Sequence, residues 1–128
     1  MICPNSIDHI CLLVTSISRS KSYYERVFDF TCTPRSDDPK TLMAESPNIH
    51  LFISEVRGVS TDFLSRQHLS FEVDNLDHVV SALKEFGISG YETGEFEMFQ
   101  HRNYKWCEWR DPDGIRIECV ERTPGLRE

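Results

Sequence analysis

The sequence predicts an α+β fold of two βαβββ modules, whose curved mixed sheets carry helices on their outer faces. A weak internal repeat places the segment that begins at His9 over the segment that begins at His68, 59 residues later. In both copies an alternating apolar pattern gives way to a helical one, which predicts a strand and then a helix. Three short strand-like segments follow each helix. We therefore predict one domain over the 128 residues, with modules at about residues 7–56 and 66–122.

The predicted helices span residues 18–28 and 77–86, with Ser18 and Asp77 as N-caps. A segment rich in Gly, Ser, Thr and Asp, residues 57–66, is the predicted linker between the modules. The remaining strands are predicted at residues 30–33, 41–45, 50–56, 89–92, 104–109 and 115–121.

Composition and charge exclude several classes of protein. Lys and Arg number 14 against 21 Asp and Glu, which gives a net charge of −7 without a basic cluster, so we expect no nucleic-acid partner. The longest apolar run covers residues 10–14 and is too short to span a membrane, and the N-terminus lacks the features of a secretory signal. We expect a cytoplasmic protein. The five cysteines form no CxxC pair and are interpreted as reduced, buried thiols.

Three residues of metal-ligand type fall in corresponding places. His9 and His68 open the first strand of each copy, and Glu118 lies in the last predicted strand. Because side chains alternate along a strand, all three are predicted to lie opposite the apolar faces that pack on the helices. Each residue alone is more often a surface or hydrogen-bonded group. Together, two imidazoles and one carboxylate would leave open positions on a divalent ion, as catalysis requires. The other histidines, His50, His78 and His101, are interpreted as non-ligands.

The repeat, the openings IDHICLLV and RQHLSFEV, and the ending YKWCEWRDPDGIRIECVE resemble the vicinal oxygen chelate superfamily. That superfamily includes glyoxalase I, fosfomycin-resistance transferases, extradiol dioxygenases and bleomycin-resistance proteins. The resemblance covers residues 7–122. It implies a homodimer of βαβββ modules around a divalent metal, Mn, Fe, Ni or Zn, that activates adjacent oxygens of a small-molecule substrate. His9, His68 and Glu118 fall on the superfamily's metal positions.

At several positions this sequence departs from the pattern of a subfamily, and these departures limit which subfamilies it resembles. Phe52 stands where glyoxalase I normally has its fourth ligand, which disfavours a classical glyoxalase I. Fosfomycin-resistance enzymes typically have Thr where this chain has Cys11, and Tyr and Ser in the penultimate strand where it has Glu108 and Trp106. Their basic residue beyond the Glu has a counterpart in Arg127. We therefore expect a glyoxalase-like lyase, a thiol transferase or a dioxygenase.

The remaining site residues are assigned roles within that resemblance. Glu118 is predicted to be catalytic as a metal ligand, and Glu108 is the first candidate for proton transfer. Cys11 follows His9 on the same strand face and is expected to contact substrate beside the metal. Trp106 is expected to bind substrate through its ring, and Arg127 through an anion contact.

A non-enzymatic binding protein is the alternative. Bleomycin-resistance proteins are small, acidic and dimeric, and generally lack the metal triad. The net charge of −7 fits that class, and Trp106 and Trp109 offer rings that could stack on a flat cationic drug.

Overall fold

The structure, a computed structural model, describes residues 1–99 and 102–123. The chain divides into two compact units, of which the first is Met1–Leu64 and the second begins at Ser65. This boundary falls within the predicted linker. None of the helices in the described ranges has the length and apolar character needed to cross a membrane.

The first module contains one four-stranded mixed sheet and one long helix. Its elements are β1 (Ile10–Val14), α1 (Ile17–Val27), β2 (Thr31–Pro34), β3 (Thr41–Ser46) and β4 (Ile49–Glu55). The strand order is β1-β4-β3-β2, in which β1 is parallel to β4 and the other pairs are antiparallel. Helix α1 contacts β2, β3 and β4. Helix α1 connects β1 to β2, and two hairpins then lead through β3 to β4. Because β3 is antiparallel to both β2 and β4, β4 runs in the same direction as β2. The helical crossover brings β1 into that same direction, so β1 and β4 pair in parallel.

The second module repeats this topology. Its elements are α2 (Thr61–Ser65), which spans the boundary, β5 (His68–Val73), α3 (Leu76–Glu85), β6 (Glu92–Phe99), β7 (Arg102–Arg110) and β8 (Arg116–Thr123). The order β5-β8-β7-β6 matches β1-β4-β3-β2 position by position, and β5 is likewise parallel to β8. The predicted fold class, α+β with two βαβββ modules, is therefore confirmed.

Alternation along the strands separates a buried face from a polar face in each module. In β1, Leu12 and Val14 are buried, and in β8 Ile117 and Cys119 are buried. Arg116, two residues before Glu118, lies with that carboxylate on the opposite face of β8. The cores are completed by large side chains that are almost fully removed from solvent, namely Tyr24, Leu42 and Ile53 in the first module and Leu83, Trp109 and Ile115 in the second.

Both predicted N-caps were wrong by two residues. The structure places the cap of α1 at Ser16, whose Oγ accepts a hydrogen bond from the Arg19 N–H at 3.2 Å. The cap of α3 is Asn75, whose Oδ1 accepts from the Asp77 N–H at 2.9 Å. Asp77 instead lies in the first turn, where its negative charge still interacts favourably with the helix N-terminus.

Two other elements differ from prediction. The strand predicted at residues 89–92 is longer and starts later, as β6 (Glu92–Phe99), because pairing with β7 outweighs the low strand propensity of its Gly and Glu residues. The predicted linker contains the short helix α2, in which Leu64 is fully buried.

The cysteines divide into two groups. All five are free, but Cys32, Cys107 and Cys119 are buried whereas Cys3 and Cys11 are exposed, so the prediction of buried thiols was wrong for the last two. Burial raises the pKa of Cys32 and Cys107 to about 11 and that of Cys119 to about 12. Because the thiolate is the reactive form and a raised pKa keeps these groups protonated, the three buried thiols are unreactive.

We expect a thiol-reactive aromatic disulfide to label two of the five cysteines in the native protein at pH 8, and all five in denaturant. Cys11→Ser should reduce the native count by one and Cys119→Ser should leave it unchanged. Absorbance of the released thiolate measures the count. Rapid native labelling of a third cysteine would contradict the burial of Cys32, Cys107 and Cys119.

Candidate metal centre

His68 and Glu118 lie close together in the second module. Strands β5 and β8 are parallel neighbours, and their register pairs Ser70 with Glu118 and His68 with Arg116. His68 and Glu118 are therefore diagonal neighbours on one face, with 3.6 Å between His68 Nε2 and Glu118 Oε1. The carboxylate side chain is 15% exposed and the imidazole 40%. A partly buried oxygen beside an accessible ring nitrogen is a suitable pair of ligands for a cation.

A second ion pair flanks Glu118 on this face. The β7–β8 register places Glu108 directly opposite Glu118. Arg116 Nε donates to Glu108 Oε2 at 2.5 Å, and the Glu108 side chain is 19% exposed. Arg116 thus holds the orientation of the predicted proton-transfer residue. Sequence reasoning assigned Arg116 no role.

In the first module, His9 is oriented by its neighbours. Its Nδ1 lies 2.8 Å from Asp8 Oδ2, and this hydrogen bond lowers the pKa of Asp8 below its ordinary value. Its ring packs edge-on against Phe52 with 4.6 Å between the centroids. When Nδ1 donates to a carboxylate, Nε2 is left to bind an ion, which is the usual arrangement of a histidine ligand. Asp8 was missed by sequence reasoning.

Cys11 ends a chain of hydroxyl groups in the first module. Its Sγ lies 3.5 Å from Ser54 Oγ, which lies 2.8 Å from Thr41 Oγ1. Thr41 in turn donates to Asp38 Oδ2 at 2.7 Å. Because the Thr41 hydroxyl has one hydrogen and gives it to Asp38, Ser54 must donate to Thr41, and the Cys11 thiol is then left to donate to Ser54. Cys11 is therefore a free, solvent-exposed thiol at the end of this chain.

The other predicted contacts have different surroundings. Trp106 is half-buried on β7, with its indole lying against Gly94 of β6. Trp109 is 3% exposed and belongs to the core, so the expectation that it stacks on a ligand was wrong. Arg127 and His101 lie outside the described residues.

Two of the three predicted ligands, His68 and Glu118, are placed to bind one divalent cation. Within residues 1–99 and 102–123, no group of three His, Cys, Asp or Glu side chains is arranged to hold an ion. The structure does bring two of the three predicted ligands together. Ligands that each lie about 2.1 Å from a tetrahedral ion are about 3.4 Å apart, close to the 3.6 Å between His68 and Glu118. His9 lies in the first module, where Asp8 contacts its Nδ1 and not its Nε2.

Comparisons with known proteins identify the family. The sequence profile of the Glyoxalase/Bleomycin resistance protein/Dioxygenase superfamily matches residues 6–119. Among curated proteins, none matches the chain. Similar solved structures include a virulence protein from Salmonella typhimurium, with 22% identity, TM-score 0.78 and coverage of 95% of this chain and 100% of the other.

Two further similar structures differ in what they bind. The fosfomycin resistance protein FosX from Listeria monocytogenes, complexed with Mn(II) and sulfate, is 16% identical with TM-score 0.65, covering 94% of this chain and 93% of the other. A bleomycin-binding protein complexed with bleomycin is 16% identical with TM-score 0.70, covering 93% and 100%. These likenesses agree with the βαβββ architecture, and the profile match covers most of the chain. The chain belongs to the Glyoxalase/Bleomycin resistance protein/Dioxygenase superfamily.

Proposed function

We propose that this protein is a divalent-metal-dependent enzyme that acts on a small oxygenated substrate, with His9, His68 and Glu118 as the metal ligands. The observation that carries the proposal is the 3.6 Å approach of His68 Nε2 to Glu118 Oε1 on the polar face of the second module. Mn(II) in FosX, a member of the same fold, supports a divalent ion. Mn, Fe, Ni and Zn all accept imidazole and carboxylate ligands.

The bound ion would supply Lewis-acid contacts to two adjacent substrate oxygens. The chain's own groups have separate roles. Glu118 and His68 hold their donor atoms on one face, and Glu108, opposite Glu118, is the candidate for proton transfer. Arg116 Nε donates to Glu108 Oε2, which leaves Oε1 as the candidate oxygen to take a proton. The reaction class is lyase, thiol transfer or dioxygenation, and Cys11, Trp106 and Arg127 are the proposed substrate contacts.

The metal proposal is tested by metal content. After incubation with Mn, Fe, Ni or Zn and removal of free ions, we expect wild-type protein to retain metal and His9→Ala, His68→Ala and Glu118→Gln to retain at least about tenfold less, because each loses a ligand. His78→Ala is the matched control, since His78 is exposed on α3. Elemental analysis measures retention. Equal retention in all five proteins, or none in any, would contradict the proposal.

We also propose a cytoplasmic homodimer in which His9 of one chain serves the His68 and Glu118 of the other. Light scattering should give twice the chain mass of 14.9 kDa. Mixing His9→Ala with His68→Ala chains should restore metal retention, because the mixed dimer contains one complete site. A monomer, or no restoration after subunit exchange, would contradict a shared site.

Activity assays separate the enzyme from the alternative. We expect turnover of a hemithioacetal, of fosfomycin with a thiol, or of a catechol with at least one metal. The alternative is a non-enzymatic antibiotic-sequestering protein, which is favoured by the fold of the bleomycin-binding protein and by half-buried Trp106. Bleomycin binding without turnover and without metal retention would support that alternative instead.

A further inference from the structure

A strip of side chains crosses the polar face of the first module at Phe52. The strand registers join four residues, one from each strand, which therefore lie side by side on this face: Cys11, Phe52, Met43 and Thr33. Phe52 and Met43 are half-buried, whereas Leu42 and Leu51, their neighbours along the strands, are buried on the opposite face. This Phe52 strip offers a phenyl ring and a thioether beside Cys11, one of the proposed substrate contacts.

Arg35 holds a positive charge above the Phe52 strip. Its Cζ lies 5.1 Å from the centre of the Phe52 ring, which is a cation–π contact. The His9 ring contacts the same phenyl ring, with 4.6 Å between the centroids. Arg35 Cζ and the centre of the His9 ring therefore cannot be farther apart than these two distances added together. One small molecule can contact both residues.

Asp37 occupies one edge of the Arg35 guanidinium and leaves another edge available. Arg35 Nε donates to Asp37 Oδ1 at 2.9 Å, and Nη2 donates to Oδ2 at 2.6 Å. This pairing fixes the side chain and raises the pKa of Arg35 above its ordinary value, so the guanidinium stays charged. Of its five N–H donors, two on Nη1 and one on Nη2 have no acceptor within the described part of the chain. The Nη1–Nη2 edge can therefore hold a second carboxylate by a bidentate contact.

The chemistry of this face favours a ligand that is both apolar and anionic. An aromatic ring packs well on a phenyl ring and on a thioether sulfur, as Phe52 and Met43 provide. A cationic ligand would be repelled by Arg35. We propose that the substrate is a small aromatic carboxylic acid, whose carboxylate binds the Nη1–Nη2 edge of Arg35 and whose ring packs on the Phe52 strip. Its role as the substrate rests on the proposed function, whereas its binding to this face does not.

Phenylacetate is the probe, and it is added to protein that contains a metal chelator and is labelled with ¹³C at its methionine methyl groups. The Met43 methyl signal is assigned by its loss in Met43→Leu, and exposed Met1 is the internal control. We expect a saturable shift of the Met43 signal and none of the Met1 signal. Phenylacetamide, which carries no charge, should move the Met43 signal much less. No saturable shift with phenylacetate, or equal shifts with the acid and the amide, would overturn the proposal.

Variants at position 35 test the carboxylate contact. Arg35→Met should weaken phenylacetate binding about tenfold, because it removes hydrogen bonds between two charged groups. Arg35→Lys keeps the charge but lacks the planar edge, so it should weaken binding by less than Arg35→Met. Arg57→Met removes an exposed arginine of the same module and is the matched control, which should leave binding unchanged. Equal effects of Arg35→Met and Arg57→Met would overturn the proposal.

Inhibition tests whether this subsite belongs to the active centre. Phenylacetate should raise the KM of the reaction that the activity assays detect and leave kcat unchanged, and Arg35→Met should make this inhibition about tenfold weaker. A lower kcat at unchanged KM would overturn the assignment to the substrate. Metal retention without phenylacetate binding would overturn this inference alone. Phenylacetate binding without metal retention would contradict the metal proposal and still support the contact with Arg35.

Discussion

Replacing Asp111 with alanine is expected to lower the free energy of unfolding by about 3 kcal/mol. The Asp111 carboxylate is 6% exposed and lies in the turn between β7 and β8. Its Oδ1 accepts the N–H of Asp113 at 2.8 Å and the N–H of Ile115 at 2.9 Å. Alanine would leave both backbone N–H groups without that acceptor at a buried site, and hydrogen bonds to a charged acceptor are among the stronger ones.

Urea denaturation followed by circular dichroism measures this loss. Asp111→Asn keeps a side-chain oxygen at the same place and should cost less than half as much as Asp111→Ala. Asp29→Ala, at an exposed position after α1, is the control and should change stability by no more than about 0.5 kcal/mol. If Asp111→Ala were as mild as the control, the turn would not depend on its carboxylate.

Gly94→Ala is expected to lower the free energy of unfolding by about 2 kcal/mol through overpacking. A Cβ at position 94 would lie 2.4 Å from Cζ2 and 2.6 Å from Cε2 of Trp106, far inside van der Waals contact. Gly94 and Trp106 are direct partners in the β6–β7 register, so neither backbone can retreat without disturbing the pair. The indole must then leave its position against β6.

A double-mutant cycle separates this clash from a change in strand propensity. Trp106→Leu removes the indole, so Gly94→Ala should be nearly neutral in that background. Gly90→Ala is the matched control because nothing lies within 4 Å of its added Cβ, and it should not destabilise the protein. An equal effect of Gly94→Ala with Trp106 and with Leu at position 106 would show that the clash is not the cause.

The fold was predictable because its signal is local and repeated. The alternation of Ile117 and Cys119 with Glu118 specifies a buried and a polar face without knowledge of the neighbouring strands. The same alternation placed His68 and Glu118 on matching faces, and the structure brings them to 3.6 Å. The helix caps were less predictable, because Ser16 and Ser18 are equally good cap residues and the choice depends on where the strand before them ends.

The ion pair of Glu108 with Arg116 was not predictable from the sequence. It depends on the register of β7 against β8, which the intervening turn sets, and a shift of one residue would put the two side chains on opposite faces. The length of β6 was equally unpredictable from the sequence. Its segment ETGEFEMF contains Gly and Glu residues of low strand propensity, yet it pairs with β7.

The shared register of the two modules shows at which equivalent positions their side chains differ. Cys11, two residues after His9, pairs with Phe52, just as Ser70, two residues after His68, pairs with Glu118. Phe52 and Glu118 therefore hold equivalent positions. His9 has an aromatic neighbour, with 4.6 Å between the ring centroids, and His68 has a carboxylate oxygen 3.6 Å from its Nε2. The two modules thus differ in the chemistry beside equivalent histidines through a single side chain, although their strands pair in the same register.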